Sequence, residues 1–198
     1  MKDGKKITAS REESTSYMNQ TLPMRESFDL IQRDLMIGER MASFYFINGL
    51  NKDDDMLKLM DALLKIKKED MPAGILQFME MAIPYTEVAL IEDFDQVLKN
   101  LFSGVTCLFV DGYEGAIAID CRTYPARSVE EPDKDKSLRG SRDGFVETLV
   151  FNTALIRRRI RDPKLTMEIL TTGESSHTDI AMCYMEGRAD KKLIEKIK

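Results

Sequence analysis

The sequence predicts an α/β protein made of two small α/β subdomains, each with a mixed sheet and flanking helices. Three observations support this fold class. Apolar runs of strand length alternate along the chain with stretches whose apolar residues recur at helical spacing. Residues 105–110 and 116–121 are apolar and flank a turn with two glycines, which predicts a β-hairpin. An apolar strand, a glycine and an acidic helix start occur in that order twice, in residues 43–53 and 181–190.

The first subdomain is assigned to residues 27–125, after a polar lead-in over residues 1–26 that is expected to be flexible. Proline suits a first helical turn, so Pro72 predicts a helix start. Before the hairpin, the predicted elements are strands at 28–36 and 41–47, a helix from residue 53, a helix from about residue 72, a strand at 88–91 and a helix from residue 94 to Gly104.

The second subdomain is assigned to residues 126–198. A helix is expected to begin near Ser141, whose hydroxyl can cap it, and to stop at Asp162, which precedes a proline. Residues 165–170 and 179–185 predict a second strand pair, and Asp190 predicts the cap of a last helix. The repeated pattern suggests that the two subdomains are related, with the break in the charged loop between residues 122 and 139.

Composition restricts the class of function. The formal net charge of −5 argues against nucleic acid as a partner, because phosphate binding needs a basic face. No run reaches the roughly 18 to 20 apolar residues of a membrane span, and the polar N-terminus lacks the apolar core of a secretory signal. The three cysteines form no cluster, which fits a reducing compartment. Taken alone, the chain is expected to be soluble and cytoplasmic.

Catalytic and metal-binding residue patterns are scarce. His177 is the single histidine and lies in a polar loop. A nucleophile–histidine pair could therefore use only this residue, and a zinc site is not expected without a cluster of histidines and cysteines. The acids at residues 53–55 lack the spacing of an EF-hand and are better explained as the start of a helix. The sequence therefore predicts a non-enzymatic protein with no catalytic site, no metal site and no cofactor.

Two arginine-rich segments are candidate binding or interface sites. Arg139 to Gly144 precede a predicted helix, where backbone N–H groups and arginines can hold a phosphate or carboxylate. The alternative is that these arginines pair with acids of the preceding loop, and this alternative is favoured. Residues 157–159 are three consecutive arginines at the predicted end of the same helix, where the helix dipole favours positive charge. Because consecutive residues of a helix point in different directions, the three side chains are not expected to form one cluster.

The stretch from Asp120 to Pro163 contains Asp-Cys-Arg-Thr-Tyr-Pro from residue 120 and Arg-Gly-Ser-Arg-Asp-Gly from residue 139. With these motifs, the stretch resembles the signature of the GerA family of spore germination proteins. Family receptors of the A-subunit type carry Arg-Gly-Pro-Arg-Glu-Gly where this chain has the motif that starts at residue 139. The chain therefore looks closer to a sporulation paralogue. Residues 178–190 also match, and the resemblance extends from about residue 28 to the end.

The resemblance implies the N-terminal domain of a protein of the spore inner membrane, lying on the cytoplasmic, spore-core side. Its fold would be two-lobed, somewhat like solute-binding proteins, with the second lobe incomplete at Lys198 and a membrane part following. The implied partners are other subunits of a germination complex, with homo-oligomers formed through the membrane part.

The leading hypothesis is an assembly or signal-coupling domain of a germination complex or ion channel. The alternative is a germinant-binding domain that holds a small molecule between the two subdomains, with a carboxylate at the Ser141 helix start. The resemblance implies the following ligand or interface residues: Arg139, Gly140, Ser141, Arg142, Asp143, Asn152, Arg157, Arg158 and Arg159.

Overall fold

The computed structural model describes residues 4–84, 87–123 and 144–198. In chain order, these residues form α1 (Arg11–Thr21), β1 (Leu30–Ile37), β2 (Arg40–Ile47), α2 (Asp53–Leu64), a short 3-10 helix (Lys68–Asp70), α3 (Ile75–Ala82), β3 (Val88–Ile91), α4 (Phe94–Phe102), β4 (Thr106–Val110), β5 (Ala116–Ile119), α5 (Leu149–Arg159), β6 (Leu165–Thr172), β7 (Thr178–Met185) and α6 (Lys191–Ile197).

The large sheet has five strands in the order β1-β2-β4-β5-β3, and helices cover both of its faces. Consecutive strand residues point to opposite faces, so neighbours on β2 serve two different cores. Tyr45 packs with residues of α1 and α4, whereas Phe44 packs with residues of α2 and α3. The result is a three-layer arrangement with β1 and β3 at the sheet edges.

The second sheet is the β6–β7 hairpin, followed by α6. The repeated sequence pattern has a structural counterpart, because each copy is a hairpin followed by a glycine and a helix. Gly49 follows β2 with φ 82° and Gly187 follows β7 with φ 76°, conformations that glycine adopts without strain. The predicted α/β class with flanking helices is confirmed, although every strand pair within the described residues is antiparallel rather than mixed.

The N-terminal segment differs from the flexible lead-in predicted for residues 1–26. Ser10 caps α1 by accepting a hydrogen bond from the Glu13 backbone N–H, and Met18 is completely buried against the large sheet. The segment is polar on average, but small buried residues such as Ser14 let the helix lie close to the strands. Its few apolar side chains therefore suffice to anchor it, which average polarity conceals.

Two helices begin later than predicted. The helix expected near Pro72 starts at Ile75, and the Pro72 carbonyl instead accepts a 2.5 Å hydrogen bond from the Tyr113 hydroxyl. The helix expected near Ser141 starts at Leu149, because the Asn152 side chain bonds both the N–H and the C=O of Val146 at 2.7 Å and closes a turn there. Ser141 itself, like the proposed boundary at residues 125 and 126, lies outside the described residues.

Replacing Tyr45 with phenylalanine is expected to leave the free energy of unfolding unchanged or raise it. The Tyr45 hydroxyl is buried and has no hydrogen-bond partner among the residues that the structure describes, so its removal relieves a desolvated polar group. Tyr113→Phe is the matched control, because its hydroxyl does have a partner and its loss should destabilise by about 1 kcal/mol. Urea unfolding followed by circular dichroism measures the free energy of unfolding of both variants. Equal losses in the two would contradict the conclusion that the two hydroxyls differ in hydrogen bonding.

Candidate functional site

Helix α5 presents one inward face to the rest of the chain. Thr153, Ala154 and Arg157 recur at helical spacing on this face and are buried. The helix comes close because Gly49 lacks a side chain: a Cβ there would lie 3.0 Å from Val150 Cγ1 and 3.1 Å from Ala154 Cβ. An arginine near the end of this face is therefore carried into the protein interior.

Arg157 forms a buried, two-pronged ion pair with Asp29, which immediately precedes β1. Its Nε donates to Asp29 Oδ2 at 2.6 Å, and its Nη2 donates to Asp29 Oδ1 at 3.0 Å. The two side chains are 0% and 1% exposed. This bidentate geometry is the strongest pairing available to a guanidinium and a carboxylate.

The same guanidinium also binds the start of β6. Nη2 donates to the Leu165 carbonyl at 2.9 Å, and Nη1 donates to the Asp162 carbonyl at 3.3 Å. Ser27 completes the cluster, because its hydroxyl donates to Asp29 Oδ1 and accepts from the Met167 backbone N–H at 3.0 Å. We call the side chains of Ser27, Asp29 and Arg157 the Arg157 junction.

The junction ties together three segments that are distant in the sequence. It joins the entrance to the large sheet, helix α5 and the first residues of the β6–β7 hairpin. All three nitrogens of Arg157 donate to protein acceptors, and the Phe102 ring lies 5.5 Å from the guanidinium carbon. The guanidinium is thus engaged by the protein itself, and the arrangement suits mechanical connection rather than ligand binding.

The electrostatics of the junction extend to Cys183 on β7. Burial is the main cause that raises the pKa of this thiol, and the negative charge of Asp29 raises it further, against the opposite effect of Arg157. A thiol with a raised pKa is a poor nucleophile at neutral pH. Cys183 is therefore a poor candidate for a reactive thiol.

A surface groove runs along the outer side of β1 towards β6. One part, of about 620 Å³, is lined by Leu22, Ile31, Gln32 and neighbouring residues. A second part, of about 530 Å³, has Glu168, Ile169 and Lys198 on its far wall. The two parts share the residues Met24, Arg25, Glu26 and Leu30. We call the combined surface the β1–β6 groove.

The candidate residues inferred from the sequence have different locations. Asn152 closes the turn before α5 and Arg157 forms the junction, whereas Arg158 is half-buried and Arg159 is exposed. The structure therefore does not bring the three consecutive arginines together. The other five candidates, Arg139, Gly140, Ser141, Arg142 and Asp143, lie outside the described residues.

Sequence reasoning missed Ser27 and Asp29. Asp29 stands between Phe28 and Leu30, where the sequence predicted a strand. A carboxylate inside an apolar strand run is a signal for a buried cation partner, because an unpaired buried charge is too unfavourable to keep. The partner, 128 positions away, could not be identified from that signal.

Residues 4–84, 87–123 and 144–198 contain no group of three acidic, histidine or cysteine side chains arranged to hold a metal ion. None of the helices in those same ranges is long and apolar enough to cross a membrane.

Comparison with known proteins gives one family. Residues 16–198 match the family model described as "Bacillus/Clostridium GerA spore germination protein". The chain is 39% identical to stage V sporulation protein AF of Bacillus subtilis (strain 168) over 181 residues, which cover 90% of this chain and 36% of that protein. It is 31% identical to spore germination protein KA of the same strain, covering 87% of this chain and 32% of the relative.

A solved structure shares the fold. It is the N-terminal domain of the A subunit of the Bacillus megaterium spore germinant receptor GerK3, with a TM-score of 0.71 and 21% sequence identity. The superposition covers 99% of this chain and 72% of that domain. The chain spans about a third of the length of the curated relatives that it matches.

Proposed function

Because the chain belongs to the GerA family of spore germination proteins, we propose that it is a non-enzymatic coupling domain of a spore-germination membrane protein. In this proposal the β6–β7 hairpin and the large sheet move as connected parts of a germination complex. The full-length protein lies in the spore inner membrane, with this domain on the cytoplasmic side. Other complex subunits are its partners, and homo-oligomers form through the membrane part.

The observation that carries the proposal is the Arg157 junction. A single buried guanidinium connects the large sheet, α5 and β6, so displacement of the hairpin strains its bonds to the sheet entrance. Buried ion pairs have discrete bonded and broken arrangements, and such two-state contacts suit the transmission of a conformational change. The names of the relatives supply the process, which is spore germination or sporulation.

The test compares Arg157→Lys with Arg161→Lys in the intact protein, in spores of the producing organism. Lysine keeps the charge but cannot form the two-pronged bond, whereas Arg161 is exposed and serves as the matched control. Arg157→Lys is expected to slow germination, measured as the fall in optical density of a spore suspension, at an unchanged amount of protein in the membrane. Equal germination rates for the two variants at equal protein levels would contradict the proposal.

The arginines at residues 139 and 142 remain predicted contacts of the same complex. If Arg139→Ala combined with Arg142→Ala leaves germination kinetics unchanged in the intact protein, that part of the hypothesis fails.

A second candidate function is the binding of a small molecule between the two sheets. The β1–β6 groove favours it, because the groove lies between Arg25 and Glu26 on one side and Glu168 and Lys198 on the other. Thermal denaturation with millimolar amino acids, sugars and nucleosides tests it. Failure of every compound to raise the melting temperature would argue against this candidate.

A further inference from the structure

The outer edge of β1 carries backbone groups that no other described segment binds. The Asn48 N–H donates to the Asp29 carbonyl, so odd-numbered residues of β1 face β2 across the ladder. The N–H and C=O groups of even-numbered residues, among them Gln32 and Asp34, therefore point away from the sheet. Within the described residues, no backbone bond satisfies these outward groups of Gln32 and Asp34.

The outer edge of β6 is open in the same way over its second half. The Glu186 N–H donates to the Lys164 carbonyl, which places the outward backbone groups on odd-numbered residues of β6. Those of Leu165 and Met167 are bound by the Arg157 junction and by Phe28. The next two outward positions, Ile169 and Thr171, have no backbone partner within the described residues.

These two edges meet at one point and then separate. The Phe28 N–H donates to the Met167 carbonyl at 3.0 Å, so the chain entering β1 already pairs with β6 at this position. Beyond it the strands belong to different sheets, and the β1–β6 groove opens between Leu30 and Ile169. One backbone hydrogen bond therefore joins the start of β1 to β6, and among the described residues the two strand edges are not paired beyond it.

We propose that the β1–β6 groove binds an extended peptide segment of a partner protein, which adds as a strand to the outer edge of β1. An extended backbone matches the alternating donors and acceptors of an open strand edge, and such strand addition is a general mode of peptide recognition. The charges of the groove also fit. Arg25 and Lys198 balance Glu26 and Glu168, which suits a peptide without a large net charge better than a polyanion.

A second copy of this chain is a poorer occupant. Antiparallel pairing of two β1 strands along their full length places Arg33 opposite Arg33 or Asp34 opposite Asp34. Like charges directly opposite each other destabilise a strand pair, and charged residues on an edge strand discourage self-association. The proposal concerns peptide binding alone and does not depend on the germination role.

The test uses a phage-displayed library of random twelve-residue peptides selected on the 198-residue chain. The decisive variants are Gln32→Pro and Gln32→Ala, which both lose the side chain and its bond to Asp34. Only proline also removes the outward N–H, and this N–H takes no part in the sheet. Circular dichroism and thermal denaturation establish that both variants fold.

We expect selected peptides to bind Gln32→Ala like the unchanged chain and to bind Gln32→Pro about tenfold or more weakly. We also expect them to slow amide hydrogen exchange at Gln32 and Asp34. The proposal is overturned if selection yields no binder, or if binding is equal in the two variants. It is also overturned if sedimentation shows that the chain forms a dimer that only Gln32→Pro disrupts, since the occupant is then a second copy.

Discussion

Replacing Arg157 with methionine is expected to lower the free energy of unfolding by about 3–5 kcal/mol. Methionine fills part of the space but leaves the Asp29 carboxylate buried without its cation, which is the most unfavourable outcome for a buried pair. The carbonyls of Asp162 and Leu165 lose a donor at the same time. Urea unfolding followed by far-ultraviolet circular dichroism measures the change.

Two companion variants separate the ion pair from the general effect of losing an arginine. Arg161→Met removes an exposed arginine close to the same helix and should change stability by no more than about 0.5 kcal/mol. The double variant Arg157→Met with Asp29→Leu removes both charges and should recover at least about half of the loss, because no unpaired charge remains. If the double variant is as unstable as Arg157→Met, the unpaired carboxylate is not the cause.

The elements that were predictable from the sequence are those whose signals are local. The hairpin of β4 and β5 has its turn residues between two apolar runs, and Asp190 caps α6 as expected by accepting from the Lys192 N–H. Each of these features depends on a few neighbouring residues. The same is true of β3, which has its predicted bounds, and of α4, which begins at the predicted residue and ends at Phe102, two residues before Gly104.

The features that were missed depend on partners distant in the chain. Helix α1 is polar on average, and only its contact with the large sheet explains why Met18 is buried there. The late start of α5 follows from Asn152, which was a candidate interface residue and instead closes a turn at Val146. Local helical periodicity cannot report such side-chain bonds to the backbone.

The candidate site illustrates the same limit. Three consecutive arginines predicted a charged surface or interface, and a helix does send consecutive residues in different directions. Which of them turns inward depends on the face that α5 presents, and that face is set by its contact with Gly49. Arg157 and Asp29 become a recognisable pair only once the fold has brought them together.

Replacing Gly49 with alanine is expected to lower the free energy of unfolding by about 2–4 kcal/mol, from two separate causes. The residue has φ 82°, a left-handed conformation that disfavours any residue with a Cβ. The added Cβ would also lie 3.1 Å from Ala154 Cβ and 3.2 Å from the Val150 carbonyl oxygen, so α5 must move away from the sheet. Urea unfolding measures the total.

Gly187→Ala isolates the first cause, because Gly187 occupies the corresponding position after β7. Its φ is 76°, but apart from its two chain neighbours no described residue has an atom within 4 Å of a Cβ there, so only the conformational penalty of about 1–2 kcal/mol should appear. The difference between the two variants then measures how tightly α5 packs on the turn after β2.

The packing of α5 on this turn also places Arg157 against Asp29. Gly49→Ala should therefore speed amide hydrogen exchange at Met167, whose N–H donates to the Ser27 hydroxyl in the junction, while Gly187→Ala should not. Equal losses of stability in the two variants would mean that α5 is not held by this contact.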